Sequence, residues 1–507
     1  MIKRSVLSSD IFWTLISTLL TTLLSLASYG IAARVLEASG MGEYMLIRRV
    51  TTVLVPLLML GLPIALTRYL ALAKKDDTKI RLQYTFATSL PILFVLVIVL
   101  LGTLFLPNKW GEMLLGTSWK MLGLPMMILI IGLCFHSFVF ALYRGMLNIK
   151  FANFMTLINI GFVPFIVLLI PQKNIAYIVS TIGFTMIAVS IIFLANILKD
   201  FNFRGQFDIY SYCRVFKQVM LYGLPRVPSF FVSAFLLSLG SIILANQGEM
   251  LGVVAITAGL NIIFMFSSAV SPIGIVLLPR GAELMMQGRK KELSYLSRNL
   301  ILSTIHLSSL FFFLWMFKGP QILHIWLNIN LNEQVILTMI VSLAFPFYMI
   351  YEVLRNLLDA LSSKPLNTLT LSVALSVLLI LYKILSSSDL INSSMSLAIA
   401  SAASLIVLGI MTIILVVLLL RPPFLFNDLI ILLKTFILTL SLALLMWVND
   451  TVIDMLHFKD ELMIVIISNF ITGLLTMIIF IFILYRWKVE WVLPLIQRFS
   501  VIKTKNS

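Results

Sequence analysis

The chain has 507 residues, of which 60% are hydrophobic and only 11% are charged. Soluble domains carry about 45–50% apolar and about 25% charged residues, so this composition excludes a soluble protein and places most of the chain in a bilayer. The charge is unbalanced, with 37 Lys and Arg against 21 Asp and Glu and a formal net charge of +16. The positive-inside rule of membrane proteins explains that surplus without a nucleic-acid partner.

Hydrophobic stretches follow one another along the whole chain, and a stretch of about 20 residues is long enough to cross the hydrocarbon layer. The first is too long for a cleavable signal core and leads directly into further spans, so we expect it to be retained. The sequence therefore predicts an all-α polytopic membrane protein. Its fourteen predicted spans are Ile11–Ala33, Gly42–Leu72, Tyr84–Leu106, Met121–Leu142, Met155–Ile170, Ile175–Leu198, Val219–Leu244, Leu251–Leu278, Asn299–Phe317, Val335–Leu361, Leu366–Ile384, Met395–Leu420, Leu429–Val448 and Leu462–Tyr485.

The connecting segments indicate the topology. With the N-terminus inside, the cytoplasmic segments hold 25 Lys and Arg and the outer loops hold 7. Because cytoplasmic loops carry an excess of basic residues, this count favours an even number of spans with both termini in the cytoplasm. We expect a multi-pass membrane protein.

Matching residues about 211 positions apart indicate an internal repeat. Gly42 corresponds to Gly252, Pro63 to Pro272, Arg68 to Arg280 and Pro107 to Pro320. Six spans per repeat return the chain to the same side, so the two copies form parallel lobes around a central cavity. The predicted domains are an N-terminal lobe (1–216), a C-terminal lobe (217–420), and a further helix pair with a cytoplasmic tail (421–507).

Five basic residues lie inside predicted spans, where a charge costs at least about 2.5–3.5 kcal/mol at the helix centre. Lys434 is close enough to the end of its span to reach the interface. Arg68 lies near the cytoplasmic end of its span, as does its repeat equivalent Arg280, and each is either an interfacial anchor or part of a paired site.

Arg48 and Arg49 lie deeper, about 10 Å along the second span from Gly42. One of them is able to pair with Glu37 or Glu43 at the helix mouth. Adjacent helical residues point about 100° apart, so we expect at least one guanidinium to face the space between the lobes.

Arg226 is the strongest single candidate for a substrate ligand. It lies roughly 14 Å into the seventh span, where Gly223, Pro225 and Pro228 interrupt the helix and form a predicted hinge. Such interruptions occur at membrane depth only inside protein or beside water. A guanidinium there either reaches the interface from a simple kink or binds a transported anion, which its planar fork suits.

Other side chains indicate which kinds of ion coupling, cofactor and enzyme activity the sequence does not predict. Glu352, Arg355 and Asp359 share one face of the tenth span and predict a self-neutralised cluster. No carboxylate lies in the middle of spans one, three to nine or eleven to fourteen, where an ion-coupling acid is common. His136 and His306 are within spans and fit packing better than titration. Neither an ATP-binding loop nor a metal-ligand spacing is present, and the outer loops are short, so the sequence predicts no cofactor, no metal and no enzyme.

Several short motifs carry a resemblance to a known family. They are Ser8-Ser9-Asp10 before the first span, Gly40-Met41-Gly42-Glu43-Tyr44 entering the second, Tyr222-Gly223-Leu224-Pro225 with Pro228-Ser229 in the seventh, and Tyr351-Glu352 through Leu361 followed by Lys364-Pro365-Leu366-Asn367-Thr368. With the two lobes and the extra pair, they resemble Wzx-type polysaccharide and O-antigen flippases, in the polysaccharide-transporter branch of the multidrug/oligosaccharidyl-lipid/polysaccharide (MOP) exporter superfamily.

The resemblance implies a protein of the bacterial cytoplasmic (inner) membrane that moves undecaprenyl-diphosphate-linked oligosaccharides to the outer leaflet by alternating access. Its partners would be membrane lipids and other polysaccharide assembly proteins. On this hypothesis Arg226, Arg48 and Arg49 contact the diphosphate and glycan, while Arg68 and Arg280 recruit them at the cytoplasmic mouth. A lipid II flippase and a MATE-type multidrug exporter remain alternatives, although a cationic cavity repels cationic drugs.

Overall fold

The protein is described by a computed structural model that covers residues 4–73, 78–105, 119–170, 172–199, 209–327, 332–361, 366–387, 391–455 and 462–487, together with residues 112, 114, 115 and 489. Every regular element in these ranges is helical. The predicted all-α class is therefore confirmed.

The helices follow the predicted spans in order. They are α1 (Arg4–Val35), α2 (Glu37–Leu58), α3 (Leu62–Leu72), α4 (Thr78–Phe105), α5 (Trp119–Gly145), α6 (Ile149–Thr156), α7 (Val163–Leu169), α8 (Ile175–Leu198), α9 (Ile209–Gly223), α10 (Val227–Asn246), α11 (Met250–Met286), α12 (Lys290–Leu327), α13 (Asn332–Ser342), α14 (Phe345–Leu361), α15 (Leu366–Ser386), α16 (Ser393–Leu420), α17 (Phe426–Met455) and α18 (Leu462–Arg486).

Within the described ranges, twelve helical stretches are long and apolar enough to cross a membrane, and one bent pair brings the number to thirteen. This agrees with a polytopic fold of about fourteen spans. The predicted fifth span is one such stretch, Ile149–Leu169, in which a π-helical segment, Leu157–Phe162, joins α6 to α7.

The second predicted span is not the continuous helix we expected. It consists of α2 and α3, which meet at an angle of 53°. Gly61, the residue before α3, has a left-handed φ of 68°, a conformation that costs a residue with a Cβ atom about 1–2 kcal/mol. The seventh span is also interrupted, because a 3₁₀ turn, Leu224–Arg226, separates α9 from α10.

The two interruptions contact each other. A Cβ atom on Gly61 would lie 2.5 Å from the carbonyl oxygen of Gly223, and a Cβ atom on Gly223 would lie 3.0 Å from the carbonyl oxygen of Leu60. Only residues without side chains allow two backbones to approach so closely. The second and seventh spans therefore cross at the points where their helices break.

The chain divides into two compact units. Unit 1 contains Met1–Pro272, His324–Val341 and Leu371–Ser404, and unit 2 contains Ile273–Leu323, Ser342–Thr370 and Leu405–Ser507. Unit 1 thus joins the first six predicted spans to parts of the next six. The lobe boundaries at residues 216 and 420 remain a prediction.

Unit 2 holds a buried ion pair between α12 and α17. Arg298 donates to both carboxylate oxygens of Asp428, at 2.8 and 2.5 Å, and both side chains are at most 8% exposed. Nearby, an apolar cluster of Leu310, Leu442 and Phe480 connects α12, α17 and α18. These contacts attach the C-terminal helix pair to the ninth predicted span.

A candidate anion site at the crossing of two broken helices

The 3₁₀ turn of the seventh span places Arg226 against Tyr222. Its guanidinium carbon lies 3.7 Å from the centre of the Tyr222 ring, and its Nη1 donates a 2.6 Å hydrogen bond to the Tyr222 carbonyl oxygen. Pro225 and Pro228 lack the N–H groups that would continue the helix, so the helix is interrupted at this turn. Arg226 uses part of its guanidinium for the Tyr222 carbonyl oxygen and keeps further donors available.

Arg68 reaches the same ring from the other broken span. It lies on α3, seven residues after Gly61, and its guanidinium carbon is 4.6 Å from the centre of the Tyr222 ring. Arg68 is exposed and Arg226 is half-buried. The structure thus brings together two of the five predicted substrate-binding arginines, and Tyr222 is the platform that they share.

This arrangement concentrates positive charge. Among the described residues, no carboxylate forms a salt bridge with Arg68 or Arg226. Two like charges repel each other more strongly where the dielectric constant is low. An anion with several oxygen atoms would relieve that repulsion and accept hydrogen bonds from both guanidinium groups.

Further aromatic side chains hold Tyr222 in place. Tyr69 meets the Tyr222 ring edge-on at 5.6 Å and stacks on Tyr84 at 5.3 Å with an interplanar angle of 4°. The Tyr84 hydroxyl lies 3.2 Å from the Gln218 side-chain oxygen, to which it donates. Residues of α3, α4 and α9 therefore fix the position of the ring.

Arg49 occupies a different environment. It is 5% exposed, and its Nη2 donates to the Asn261 side-chain oxygen at 2.7 Å and to the Thr257 carbonyl oxygen at 3.2 Å. Its guanidinium carbon also lies 5.2 Å from the centre of the Phe264 ring. On the α10 side, the Ser238 hydroxyl donates to the Arg49 carbonyl oxygen at 3.2 Å. Arg49 thus connects α2 with α10 and α11 inside unit 1.

Arg48 points away from those contacts. It is half-buried beside Tyr29 and Tyr44 and lines a cavity of about 290 Å³ between α1, α2, α5 and the π-helical segment. Neither Arg48 nor Arg49 pairs with Glu37, which instead accepts a 3.0 Å hydrogen bond from Lys173. The alternative pairing with Glu43 remains a prediction.

The remaining predicted residues are placed as follows. Arg280 lies on α11, but its side chain is outside the described part of the structure. The ion pair predicted between Glu352 and Arg355 is present at 3.0 Å. His136 is buried and hydrogen-bonded to Asn159 at 3.2 Å, as a packing residue would be.

Sequence reasoning missed Tyr222, Asn261 and the Arg298–Asp428 pair as partners of arginines. The spacing of Tyr222 and Arg226, four residues apart, is a signal for side-chain contact on a helix. Asn261 and Asp428 offer no such local signal, because they are 212 and 130 positions from their partners.

Comparisons with known proteins agree with this architecture. The structure is similar to an inward-facing multidrug-resistance MATE transporter of the MOP superfamily, with a TM-score of 0.59 at 12% identity over 80% of this chain and 96% of that one. It is also similar to the eukaryotic MATE transporter AtDTX14, with a TM-score of 0.50 at 12% identity over 81% and 95% of the two chains. At these identities the likeness establishes the fold. A search of curated proteins finds no significant match.

A family model described as "Polysaccharide biosynthesis protein" matches residues 7–285, which is more than half of the chain. That match covers α1 to α10 and most of α11, including the crossing of the two broken spans and the Arg68–Tyr222–Arg226 cluster. The chain therefore belongs to the polysaccharide biosynthesis protein family and has the fold of MOP-superfamily transporters.

Proposed function

We propose that this membrane protein is a flippase that moves oligosaccharides linked to undecaprenyl diphosphate from the cytoplasmic to the outer leaflet. It would act by alternating access in the bacterial cytoplasmic membrane and supply repeat units of a surface polysaccharide such as O-antigen or capsule. The family membership supports a role in polysaccharide assembly, and the transporter fold supports movement of a substrate rather than its chemical conversion.

The observation that carries the proposal is the cluster of Arg68, Tyr222 and Arg226. A diphosphate has oxygen atoms on both phosphorus centres, so two guanidinium groups are able to bind it at once. Neither guanidinium is neutralised by a carboxylate of the described residues, and neither loses its charge at physiological pH. The lipid tail would stay in the surrounding membrane while the headgroup is bound.

The position of the cluster suits a substrate that must be released again. Glycine and proline interrupt both helices that carry the arginines, so a change of angle at either break would move the two guanidinium groups relative to each other. In this proposal Gly223, Pro225 and Pro228 form the hinge of the seventh span.

Transport by the purified protein in proteoliposomes tests the proposal. We expect leaflet exchange of a fluorescently labelled undecaprenyl-diphosphate oligosaccharide, measured by chemical quenching of the exposed label. Lys434→Gln is a matched control variant, because Lys434 is an exposed basic residue within a span on α17. It should transport at the wild-type rate, whereas Arg226→Gln should not.

The same assay separates the alternatives. The arginine cluster would also accept lipid II, the diphosphate-linked precursor of peptidoglycan, so lipid II is the second substrate to measure. A cationic fluorescent drug is the third, and the two guanidinium groups should repel it. Faster exchange of lipid II would assign the protein to cell-wall synthesis, and drug transport without lipid exchange would refute the flippase proposal.

A further inference from the structure

An apolar groove with a volume of about 250 Å³ runs along α4 in unit 1, and its other walls are α5 and α8. The α4 residues that line it recur every three or four positions from Leu82 to Leu96, so they share one face of the helix. At 1.5 Å per residue this stretch is about 21 Å long. It is therefore longer than the depth of one hydrocarbon leaflet, which is about 15 Å.

The walls of the groove suit a hydrocarbon chain. None of the described residues that line it is charged, and the thiol of Cys134 behaves as a small apolar group. The hydroxyls of the wall are used within α4, because Thr85 donates to the Arg81 carbonyl oxygen at 2.9 Å and Ser89 donates to the Phe86 carbonyl oxygen at 3.4 Å. A sugar or a phosphate would lose hydrogen bonds here, whereas an acyl chain would not.

The groove is open along the outer surface of α4. Leu93 on its rim is 43% exposed, whereas Ile92 and Leu96 are at most 5% exposed and lie deeper. Exposed apolar side chains on a membrane-spanning helix face the lipid. A gap beside apolar side chains forfeits dispersion contacts, so a chain that enters from the surrounding bilayer restores them.

Basic residues lie at one end of the groove. The lining residues at this end are Leu82, near the start of α4, and Leu198, the last residue of α8. Arg81 and Lys199 are their immediate neighbours in the chain, and the predicted topology places them at the cytoplasmic surface.

The two cations are not neutralised by the described residues. No carboxylate among these residues forms a salt bridge with Arg81 or Lys199. The Nε atom of Arg81 is buried without a hydrogen-bond partner in the same part of the chain, although buried polar atoms are normally paired. An apolar groove that ends at two such cations is complementary to a molecule with a hydrocarbon chain and an anionic headgroup.

From these observations we infer that the groove between α4, α5 and α8 binds one acyl chain of an anionic phospholipid, such as phosphatidylglycerol, whose phosphate contacts Arg81 and Lys199. None of the residues of the Arg68–Tyr222–Arg226 cluster lines the groove. Tyr84, which stacks on Tyr69 beside Tyr222, lies on a different face of α4 from the groove. The bound lipid would thus support α4 from a side that the substrate does not use, and the inference does not depend on what is transported.

Lipid titration of the full-length protein in detergent tests the inference. Thermal unfolding is measured with phosphatidylglycerol and with phosphatidylcholine that carries the same acyl chains. We expect a saturable rise in the unfolding temperature, because a ligand that binds only the folded protein stabilises it. Phosphatidylglycerol should reach the half-maximal rise at a roughly tenfold lower concentration, since each basic residue near an anionic lipid contributes about fivefold.

Charge variants test the contact with the headgroup. Arg81→Gln/Lys199→Gln should remove the preference for phosphatidylglycerol and leave both lipids equally effective. Lys150→Gln is the matched control, because Lys150 is an exposed basic residue on α6 that is not adjacent to a lining residue. It should keep the wild-type preference.

A second pair of variants tests the acyl-chain groove. Ser89→Trp places a large ring in the groove and should remove the saturable response to phosphatidylglycerol. Leu90→Trp is the control, because Leu90 is 48% exposed on the same helix and does not line the groove. It should respond like the wild type.

Photo-cross-linking localises the lipid without any substitution and covers the case in which Ser89→Trp does not fold. With phosphatidylglycerol that carries a diazirine in one acyl chain, we expect cross-links at lining residues such as Phe86 and Phe135, suppressed by unlabelled phosphatidylglycerol. The inference is wrong if the two phospholipids act alike on the wild type, if Arg81→Gln/Lys199→Gln keeps the preference, or if Ser89→Trp responds like Leu90→Trp. It is also wrong if undecaprenyl phosphate suppresses the cross-links more strongly than phosphatidylglycerol, which would assign the groove to the tail of the transported lipid.

Discussion

Two arginine sites within the membrane spans of unit 1 differ in which groups contact their guanidinium groups and accept their hydrogen bonds. Arg49 is buried, and its guanidinium contacts Asn261, Thr257 and Phe264, all of which belong to α11. Arg68 is exposed and Arg226 is half-buried, and both lie against the ring of Tyr222. The first site is complete within the protein, whereas the second leaves positive charge and hydrogen-bond donors available.

The difference shows that position within a span does not by itself indicate a ligand-binding arginine. A guanidinium whose donors are satisfied by neighbouring helices contributes to packing. One that rests on an aromatic ring keeps most of its donors free, since the ring face accepts the charge without using the N–H groups. On the proposed function, the Arg49 site therefore serves the contact between helices, and the Arg68–Tyr222–Arg226 site binds the substrate.

The largest expected effect is the loss of transport when both exposed arginines are replaced. In Arg68→Gln/Arg226→Gln, the diphosphate loses two charge-assisted partners, each of which is worth about 1.5–3 kcal/mol. Leaflet exchange in proteoliposomes should fall at least about a hundredfold, with each single variant intermediate. The thermal unfolding temperature should change little, because neither side chain is fully buried.

A double variant that transports normally would contradict a substrate-binding role for Arg68 and Arg226, and with it the proposed difference from Arg49. Lys434→Gln serves as the control for loss of a basic side chain within a span. A double variant that unfolds at a much lower temperature would instead place Arg68 and Arg226 in the same structural class as Arg49.

Replacing Arg49 should have the opposite effect, a loss of stability with diphosphate binding unchanged. Arg49→Leu leaves the Asn261 oxygen and the Thr257 carbonyl without their donor in a buried contact, which costs roughly 2–4 kcal/mol. The thermal unfolding temperature should fall clearly, whereas binding of a soluble diphosphate analogue to the remaining folded protein should be unchanged. Arg49→Lys keeps the charge but not the planar fork, so it should recover only part of the stability.

An Arg49→Leu variant with wild-type stability and lost diphosphate binding would reverse the assignment. Asn261→Leu in the same background distinguishes the two cases further. If the contact is structural, the double variant should be no less stable than Arg49→Leu alone, because the unsatisfied oxygen has been removed as well.

Sequence reasoning reached the fold because hydropathy alone specifies helices that cross a bilayer. It also located the interruption at Gly223, since proline and glycine act on their own helix. It did not predict the break at Gly61, although Gly61-Leu62-Pro63 repeats the Gly-Leu-Pro of the seventh span and so carried the same local signal. Pairings such as Arg49 with Asn261 depend on how distant helices pack, and nothing in the local sequence encodes that.

A substitution at the crossing of the broken spans should reduce stability less than the loss of the Arg49 contact. Gly61→Ala adds a Cβ atom to a left-handed residue and directs it at the Gly223 carbonyl oxygen, so we expect a loss of about 1–3 kcal/mol and reduced transport. Gly248→Ala is the matched control, because Gly248 has a φ of 79° with nothing within 4 Å of the added atom. Equal stability losses in the two variants would mean that the close approach to Gly223 is unimportant.

The smallest expected effect belongs to Tyr222 itself. A cation–π contact at a partly exposed site is worth about 0.5–1 kcal/mol, so Tyr222→Leu should weaken diphosphate binding by only a few-fold, as measured by titration with a soluble diphosphate analogue. Tyr222→Phe keeps the ring and should stay close to the wild type. If Phe and Leu weaken binding equally, the hydroxyl rather than the ring positions the arginines. If Leu abolishes binding, the ring organises both guanidinium groups, and the two arginines act as one unit instead of as two additive contacts.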